Sequence, residues 1–345
     1  MKELTVQAGS RTYPVKIGAG LLESAAREIR QVCPGEKLAL ITDTTVAPLY
    51  AAALEKQLTA LGVRVFVMAV PAGEESKSLA RLSELYDAMA RAGFTRSDAV
   101  AALGGGVVGD LAGFVAATML RGLTLVQIPT TLLAQLDSST GGKTAVDLPQ
   151  GKNLVGAVYQ PRLVLIDPDC LTTLPPRQLS AGAAEAVKMG FAVDAAILSE
   201  LEQEFPRWEA VIERSVAAKA AIVAEDEYDT GRRQLLNFGH TAGHVYEACS
   251  GCLHGEAVAA GMMKMLELEQ RQGLIVPALR EHLGALLRRY HLPLQLPCTA
   301  SDYRRYLPLD KKCRGGTVTL VQVLREGQAR LQETDVELLL QELTA

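Results

Sequence analysis

The chain has five histidines, and three of them, His240, His244 and His254, fall within one short segment. Neutral imidazoles together with a carboxylate are a common set for a catalytic divalent ion, one that leaves a position open for substrate. His240 and His244 are four residues apart within the helical pattern 235–249, so they share a helix face. His254 follows a Ser-Gly-Cys-Leu break and begins the next helix. Spacing alone selects His240 and His244 as the ligand pair and leaves the carboxylate open among Glu185, Glu247 and Glu256. A surface helix with incidental histidines is the plainer alternative. It explains three imidazoles in so short a stretch less well.

A second set suits a dinucleotide. Gly104-Gly105-Gly106-Val107-Val108-Gly109 reads GxGxxG after an apolar run and before a helical pattern. A Cβ there would hold backbone N–H groups away from a pyrophosphate, and the amino end of a helix favours an anion. Glycines that serve only tight packing are the plainer alternative. The usual wiring also places an acidic residue about 20 positions further on, where this chain has the apolar run 123–128. The strand-end carboxylate lies upstream instead, at Asp43, so a ribose or adenine contact is expected from earlier in the chain. Cations beside small residues point to anions: Arg121 before Gly122, Lys143 after Gly141-Gly142, and Lys152 after Gly151. Residues 137–144 combine hydroxyls, an ammonium and backbone N–H groups, a combination suited to phosphate. A solvated loop is the bland alternative for any one of these lysines. Cys249 and Cys252 have CxxC spacing, but a structural zinc site would want a second such pair, so ordinary thiols are expected.

These residues must be positioned by a large fold. A chain of 345 residues that is 48% hydrophobic can bury a sizeable core, in two domains or one domain with an appendage. Residues 4–7 and 13–17 alternate and read as a hairpin. Strand patterns at 37–42, 63–70, 99–103, 123–128 and 163–166 alternate with helical patterns at 48–61, 78–92 and from the glycines to 120. That order predicts a mostly parallel sheet with helices on both faces. Pro175 and Pro176 mark a boundary, since tandem prolines break helices on both sides. From 177 to about 290 the pattern is almost wholly helical, followed by a hairpin (317–323 with 329–333) and a helix at 336–343. The predicted fold is an α/β nucleotide-binding domain over residues 1–175, joined to a mainly α-helical metal- and substrate-binding domain over 176–345. The active site is expected in the cleft between them. A net charge of −4 disfavours nucleic acid. No apolar stretch is long enough for a membrane span or a secretory signal. The scattered cysteines suit a reducing cytoplasm.

The motifs, taken in order, resemble the 3-dehydroquinate synthase family over nearly the whole chain. The matching segments are Asp43-Thr44-Thr45, residues 71–78, 104–110, Arg121-Gly122, 129–134, 137–143 and Gly151-Lys152-Asn153. The later ones are 185–188, 236–241, Gly243-His244 and 254–258. The resemblance implies a divalent ion, zinc or cobalt, on Glu185, His240 and His254, with His244 turned to substrate instead. It implies NAD contacts at Asp43, Thr45, Glu74, Lys77, Gly105, Gly106, Asp110, Thr130, Thr131, Asp137, Lys152 and Thr173. Substrate contacts are implied at Arg121, Asp137, Lys143, Lys152, Asn153, Lys188, Lys219, Arg233, Asn237, His244 and one of Lys311 and Lys312. Of these, Lys143, Asn153, Lys188, Asn237 and His244 carry the catalytic assignments. Thr45 stands where the family often has asparagine, Met189 where an aromatic is common, and Val245-Tyr246 where a smaller pair is usual.

The implied substrate is a sugar-acid phosphate, 3-deoxy-D-arabino-heptulosonate 7-phosphate. Phosphate must leave from C7 although the C6 proton is not acidic. Transient oxidation of the C5 alcohol by NAD acidifies it, and the cofactor is restored when the hydride returns. A planar guanidinium suits the substrate carboxylate, which assigns Arg233 to it. Phosphate falls to Lys143, Lys152, Asn153, Asn237 and His244. The family also implies a homodimer. Two neighbouring readings are a sister cyclase, of the 2-deoxy-scyllo-inosose or 2-epi-5-epi-valiolone synthase type, and a metal-dependent polyol or glycerol-phosphate dehydrogenase. A dehydrogenase would release NADH stoichiometrically.

Overall fold

The computed structural model describes residues 1–295, 297–309 and 313–344 and divides into two compact units. The first comprises Met1–Leu174 together with Lys219–Tyr228; the second comprises Pro175–Ala218 and the chain from Asp229 onward.

In the first unit, β1 (Lys2–Gln7) and β2 (Thr12–Ile17) form the expected antiparallel hairpin. Helix α1 (Ala25–Val32), β3 (Lys37–Asp43), α2 (Ala52–Ala60), β4 (Arg64–Val70) and α3 (Leu79–Arg91) follow. Next come β5 (Ala99–Gly104), α4 (Gly106–Thr118), β6 (Thr124–Pro129), β7 (Lys143–Leu148), β8 (Gly151–Val158) and β9 (Leu163–Ile166). Seven strands make one sheet in the order β1-β2-β9-β6-β5-β3-β4, parallel throughout except for the hairpin. All six residues of β5 and all four of β9 are buried. A parallel strand covered on both faces loses its polar alternation, which is why these segments read as continuous apolar runs. The faces still separate by period two. Leu38, Leu40, Ala99, Ala101 and Leu103 pack with Ile29 of α1 and Leu54 and Leu58 of α2. Ala39, Ile41, Val100 and Ala102 pack with Leu82 and Leu85 of α3 and Leu111 and Val115 of α4.

The antiparallel pair β7–β8 is an addition to the sequence reading, which assigned no strands between 128 and 163. A lone two-stranded ribbon is marginal in water, so this one depends on distant contacts. Val146 enters the core beneath α4, and the Asp147 N–H donates to the Lys77 carbonyl at 2.8 Å.

The second unit begins with α5 (Pro176–Ala192), buried from Ala181 to Ala192. Pro176 therefore opens a helix where the sequence reading had the proline pair interrupting helices on both sides. A proline at the first helical position gives up an N–H that has no intrahelical partner. Helices α6 (Ala196–Leu201), α7 (Trp208–Glu225), α8 (His240–Ser250), α9 (His254–Arg271), α10 (Pro277–Arg289) and α11 (Ala300–Tyr306) follow. Strands β10 (Cys313–Arg314), β11 (Thr317–Arg325) and β12 (Gln328–Asp335) form an antiparallel sheet before α12 (Val336–Thr344). The helix expected over 235–249 starts only at His240. Before it, Arg232–Asn237 is a 3-10 turn, and Gly239 adopts a left-handed φ of 79°. No helix of the described residues is long and apolar enough to cross a membrane.

Candidate active site

The parallel strands of the first unit converge on one edge. Chain order runs outward from β3 to β4, then crosses back to β5 and continues through β6 to β9. The direction of winding therefore reverses between β3 and β5, and open α/β sheets bind ligands in the crevice beyond the carboxyl ends of the strands at such a reversal. Asp43 ends β3 and Gly104 ends β5. Asp43 Oδ1 accepts from the Thr45 and Val46 N–H groups at 2.8 and 2.9 Å, which folds the chain sharply at this edge.

The three glycines are required by close approach, since none of them has positive φ. A Cβ on Gly104 would lie 2.8 Å from Val108, on Gly105 3.0 Å from Thr131 Cγ2, and on Gly106 3.2 Å from Ser138 Oγ. The space above Gly105 and Gly106 is thus bounded by the segment after β6. Thr130 in that segment is 4% exposed, and its Oγ1 has no hydrogen-bond partner among the described residues. A buried hydroxyl without a partner is unfavourable by about 1–3 kcal/mol. Together with the glycine cradle and the helix start at Gly106, it fits a polar ligand such as a dinucleotide. Thr173 lies after β9, where its hydroxyl meets Tyr50 at 2.6 Å.

Ion pairs tie several predicted residues together. Lys77 Nζ is 2.6 Å from Asp110 Oδ2 and also donates to Asn153 Oδ1. Burial lowers the Lys77 pKa, but Asp110 beside it more than offsets that and holds the ammonium above its ordinary value. Asn153 has a left-handed φ of 56°, and its N–H donates to Asp147 at 2.7 Å. Lys219, from the α7 segment that belongs to this unit, contacts both the carboxylate and the carbonyl of Asp137. Lys152 lies 3.9 Å from Glu74, both about half exposed. The phosphate nest read into residues 137–144 is different in the fold. The N–H groups of Ser139, Thr140 and Gly141 are already donated to Ala134 O, Asp137 O and the Tyr13 hydroxyl. Lys143, the cation of that stretch, is exposed at the start of β7.

In the second unit, Glu185, His240 and His254 each present a ligand atom, all within 4.8 Å of one another. Glu185 Oε1 is 3.5 Å from His254 Nε2 and 4.0 Å from His240 Nε2. Adjacent ligands of a tetrahedral ion with bonds near 2.0 Å stand about 3.3 Å apart, close to the His254 separation and about 0.7 Å inside the His240 one. His240 Nδ1 faces the Phe238 carbonyl at 3.3 Å and His254 Nδ1 faces Glu247 at 3.1 Å. Each acceptor requires the proton on Nδ1, which leaves Nε2 as the lone-pair nitrogen aimed at Glu185. The set fits a divalent ion, with zinc and cobalt both suited to nitrogen and oxygen donors.

The three carboxylates left open by spacing thus have separate roles. Glu185 faces the imidazoles, Glu247 stands behind His254, and Glu256 is bound by Arg177 at 2.7 and 2.8 Å and by the Leu253 N–H at 2.9 Å. Burial depresses the His254 pKa, but Glu185 and Glu247 outweigh it and raise it to about 10. Two carboxylates on one imidazole draw in a positive charge, a proton or a metal ion.

Glycines set this geometry. A Cβ on Gly255 would lie 1.9 Å from the Ala181 carbonyl oxygen, so α9 meets α5 backbone to backbone beside His254. A Cβ on Gly261 would lie 2.1 Å from Gly239 O and 2.7 Å from Gly243 N, so α9 is equally close to α8 beside His240.

Other predicted residues gather nearby in sequence and structure. Lys188 forms an ion pair with Glu185, both 1% exposed. Such a pair is poor stabilisation, because desolvating both charges opposes their attraction, and it points to a functional role. Arg233 is 2% exposed in the 3-10 turn that Asn237 ends. His244, one turn beyond His240, packs edge-on to it with centroids 5.4 Å apart, and it is outside the triad. Arg121 stands apart. It precedes β6, at the amino edge of the sheet opposite to Gly104 and Thr130, with φ of 66°. Lys311 and Lys312 lie outside the described residues.

Two contiguous family models match this chain, 3-dehydroquinate synthase N-terminal over residues 67–181 and 3-dehydroquinate synthase C-terminal over 182–313. The 3-dehydroquinate synthase of Latilactobacillus sakei subsp. sakei is 46% identical over 337 residues, covering 95% of this chain and 94% of that protein. The chain belongs to the 3-dehydroquinate synthase family. Solved structures extend the likeness to sister cyclases. A 2-deoxy-scyllo-inosose synthase complexed with carbaglucose-6-phosphate, NAD+ and Co2+ is 27% identical with a TM-score of 0.88, covering 99% of each chain. The 2-epi-5-epi-valiolone synthase of Streptomyces hygroscopicus subsp. jinggangensis 5008, with NAD+ and Zn2+ bound, is 28% identical with a TM-score of 0.83, covering 99% and 98%.

Within this family member, sequence reasoning missed the supporting residues. Phe238, Ala181 and the close glycines Gly255 and Gly261 orient the triad; Phe238 and Gly255 fell within matched motifs, and Ala181 and Gly261 did not. Ser10 and Gln160 grip Glu227, with Ser10 N and Gln160 Nε2 at 2.8 and 2.9 Å, holding the Lys219–Tyr228 segment in the first unit. Ser10 and Gln160 carry no local signal, because each acts on a group distant in sequence.

Proposed function

We propose that the chain is a 3-dehydroquinate synthase that converts 3-deoxy-D-arabino-heptulosonate 7-phosphate to 3-dehydroquinate and phosphate. The route is oxidation at C5, loss of phosphate, re-reduction, ring opening and aldol closure, with NAD and a zinc or cobalt ion as cofactors. The observation that carries the reading is the triad of Glu185, His240 and His254, whose imidazoles turn their lone-pair nitrogens to one carboxylate. Family membership supplies the reaction. When bound, NAD supplies a reversible hydride acceptor and the metal ion supplies Lewis acidity at the substrate hydroxyls.

Residues 1–175 act as the cofactor-binding domain and 176–345 as the metal- and substrate-binding domain. Glu185, His240 and His254 hold the ion. Asp43, Thr45, Glu74, Lys77, Gly105, Gly106, Asp110, Thr130, Thr131 and Thr173 hold NAD, a reading supported by their clustering in segments that follow the sheet strands and begin α4. Asp137 and Lys152 serve both ligands. Lys143, Lys152, Asn153, Asn237 and His244 bind phosphate and handle the proton that leaves C6 as it departs, and Arg233 binds the carboxylate through its planar fork. Lys188, held at Glu185 by the buried ion pair, keeps an ammonium beside the reacting carbinol. Lys219, fixed on Asp137, orients that carboxylate. One of Lys311 and Lys312 completes the substrate contacts, and Arg121, at the opposite edge of the sheet from Gly104 and Thr130, is not placed among them. The family also supports a homodimer, which light scattering checks.

Phosphate release from the heptulosonate phosphate, with and without NAD and divalent metal, tests the function. Release that depends on both, with no net absorbance gain at 340 nm, is expected. Stoichiometric NADH would make the protein a dehydrogenase, and preferential turnover of a sugar phosphate lacking the carboxylate would make it a sister cyclase.

A further inference from the structure

A second group of metal-ligating side chains lies in the helical unit and shares no member with the first. Cys249, Cys298 and Asp302 each offer a donor atom, and these atoms lie within 4.8 Å of one another. Cys249 occupies the last turn of α8, and Cys298 precedes α11. Asp302 sits in the first turn of α11, where its Oδ2 accepts from the Thr299 N–H at 2.8 Å and from the Thr299 hydroxyl at 2.6 Å. That cap holds the carboxylate in place without any ion.

The two sulfurs are poorly used by the protein alone. Cys249 Sγ reaches the Tyr246 and Pro297 carbonyls at 3.6 and 3.7 Å and Cys298 Sγ the Thr299 carbonyl at 3.9 Å, all long contacts for weak donors. Burial, followed by the neighbouring Cys249, pushes the Cys298 thiol up to about 12. All three residues are only half-buried, so a hydrated cation can reach them. Two thiolates on a tetrahedral ion with bonds near 2.3 Å stand about 3.8 Å apart. The present separation therefore needs a contraction of no more than about 1 Å.

We propose that Cys249, Cys298 and Asp302 form a second cation site, which takes a thiophilic divalent ion such as zinc, cadmium or cobalt, with water completing the coordination. The second thiol comes from Cys298 rather than Cys252, because the chain turns back to α8 just before α11. An ion there ties the carboxyl end of α8, the helix that begins at His240, to the amino end of α11. The packing of Tyr303 on Tyr246, with hydroxyls 3.0 Å apart, already joins the two helices.

The test is cobalt titration of the full chain, reduced beforehand, with its six thiols counted and oxygen excluded. Glu185, His240 and His254 contain no sulfur, so a near-ultraviolet thiolate-to-cobalt charge-transfer band reads only the new site, whatever the enzyme's activity. The band should saturate with one cobalt bound per chain at this site, in addition to the equivalent held by Glu185, His240 and His254. Cys249→Ser and Cys298→Ser should each abolish it, and Asp302→Asn should weaken cobalt binding at least tenfold. Cys252→Ser should leave it in place. Thermal melts of the metal-free variants separate lost binding from lost folding. No band in the reduced protein, or a band that survives Cys249→Ser in a folded variant, overturns the proposal. A count two thiols short after reduction, which would mean a bond between the sulfurs, also overturns it.

Discussion

Replacing Gly255 by alanine tests whether helix contact distance sets the metal site. The new Cβ would stand 1.9 Å from the Ala181 carbonyl oxygen and 2.7 Å from Ala181 Cα, backbone atoms that no rotamer change can move aside. Restoring about 3.0 Å of separation requires the start of α9 to retreat from α5 by about 1.1 Å. His254 is the adjacent residue and moves with it, whereas Glu185 stays on α5. Metal–ligand distances tolerate about 0.2 Å, so the shift is roughly five times what the site can absorb. Overpacking of this kind costs about 1–3 kcal/mol, and helix propensity returns at most about 1 kcal/mol. Zinc affinity should fall by at least about tenfold, equivalent to about 1.4 kcal/mol. Competition against a chromophoric chelator measures the affinity, and urea melts of the metal-free protein measure the stability. Gly284→Ala is the control. Its Cβ would find nothing nearer than 3.7 Å, so the change should be neutral or stabilising by up to about 1 kcal/mol, with zinc affinity unchanged. A Gly255→Ala protein that binds zinc as tightly as its parent would refute the argument that the α5–α9 contact positions His254.

Three further outcomes are expected. Glu269 of α9 is 4% exposed and burial raises its pKa to about 8, against an opposing hydrogen bond from the Val323 N–H. The folded state therefore binds this proton more tightly than the unfolded state, and the contribution is fully present below about pH 4.5 and lost as pH rises through about 8. Glu269→Gln should flatten that decline in urea melts and be more stable at pH 8 by on the order of 3–5 kcal/mol; parallel pH profiles for the two proteins would remove the cause. Thr130→Val deletes a buried hydroxyl that has no partner, so the melting temperature without ligand should hold or rise while NAD affinity by calorimetry falls about tenfold. Unchanged NAD affinity would take Thr130 out of the cofactor site. Lys143→Ala should raise KM or lower kcat at least about tenfold, about 1.4 kcal/mol, and steady-state kinetics equal to the parent's would remove Lys143 from the phosphate contacts.

Much of the protein is legible in its residues alone. The apolar runs that became β3, β5, β6 and β9, the glycine turn that opens α4, and the break placing His254 at a helix start are local properties, set by side-chain periodicity and backbone freedom over a few residues. The ordered motifs identify the family for the same reason, since each is a short string of residue types. Tertiary structure decided what depends on distance between strings. Pairing β3 with β5 creates the reversal that brings Asp43 beside the glycines, and no local pattern encodes which parallel strands become neighbours. The β7–β8 ribbon that presents Lys143 and Asn153 exists because Val146 and Asp147 dock on α4 and Lys77. Glu185 rather than Glu247 or Glu256 faces the imidazoles because Gly255 and Gly261 let three helix backbones nearly touch. Spacing along one helix favoured His244 over His254. That choice is reversed by the approach of a second helix, which is a packing distance and is not encoded in any sequence interval.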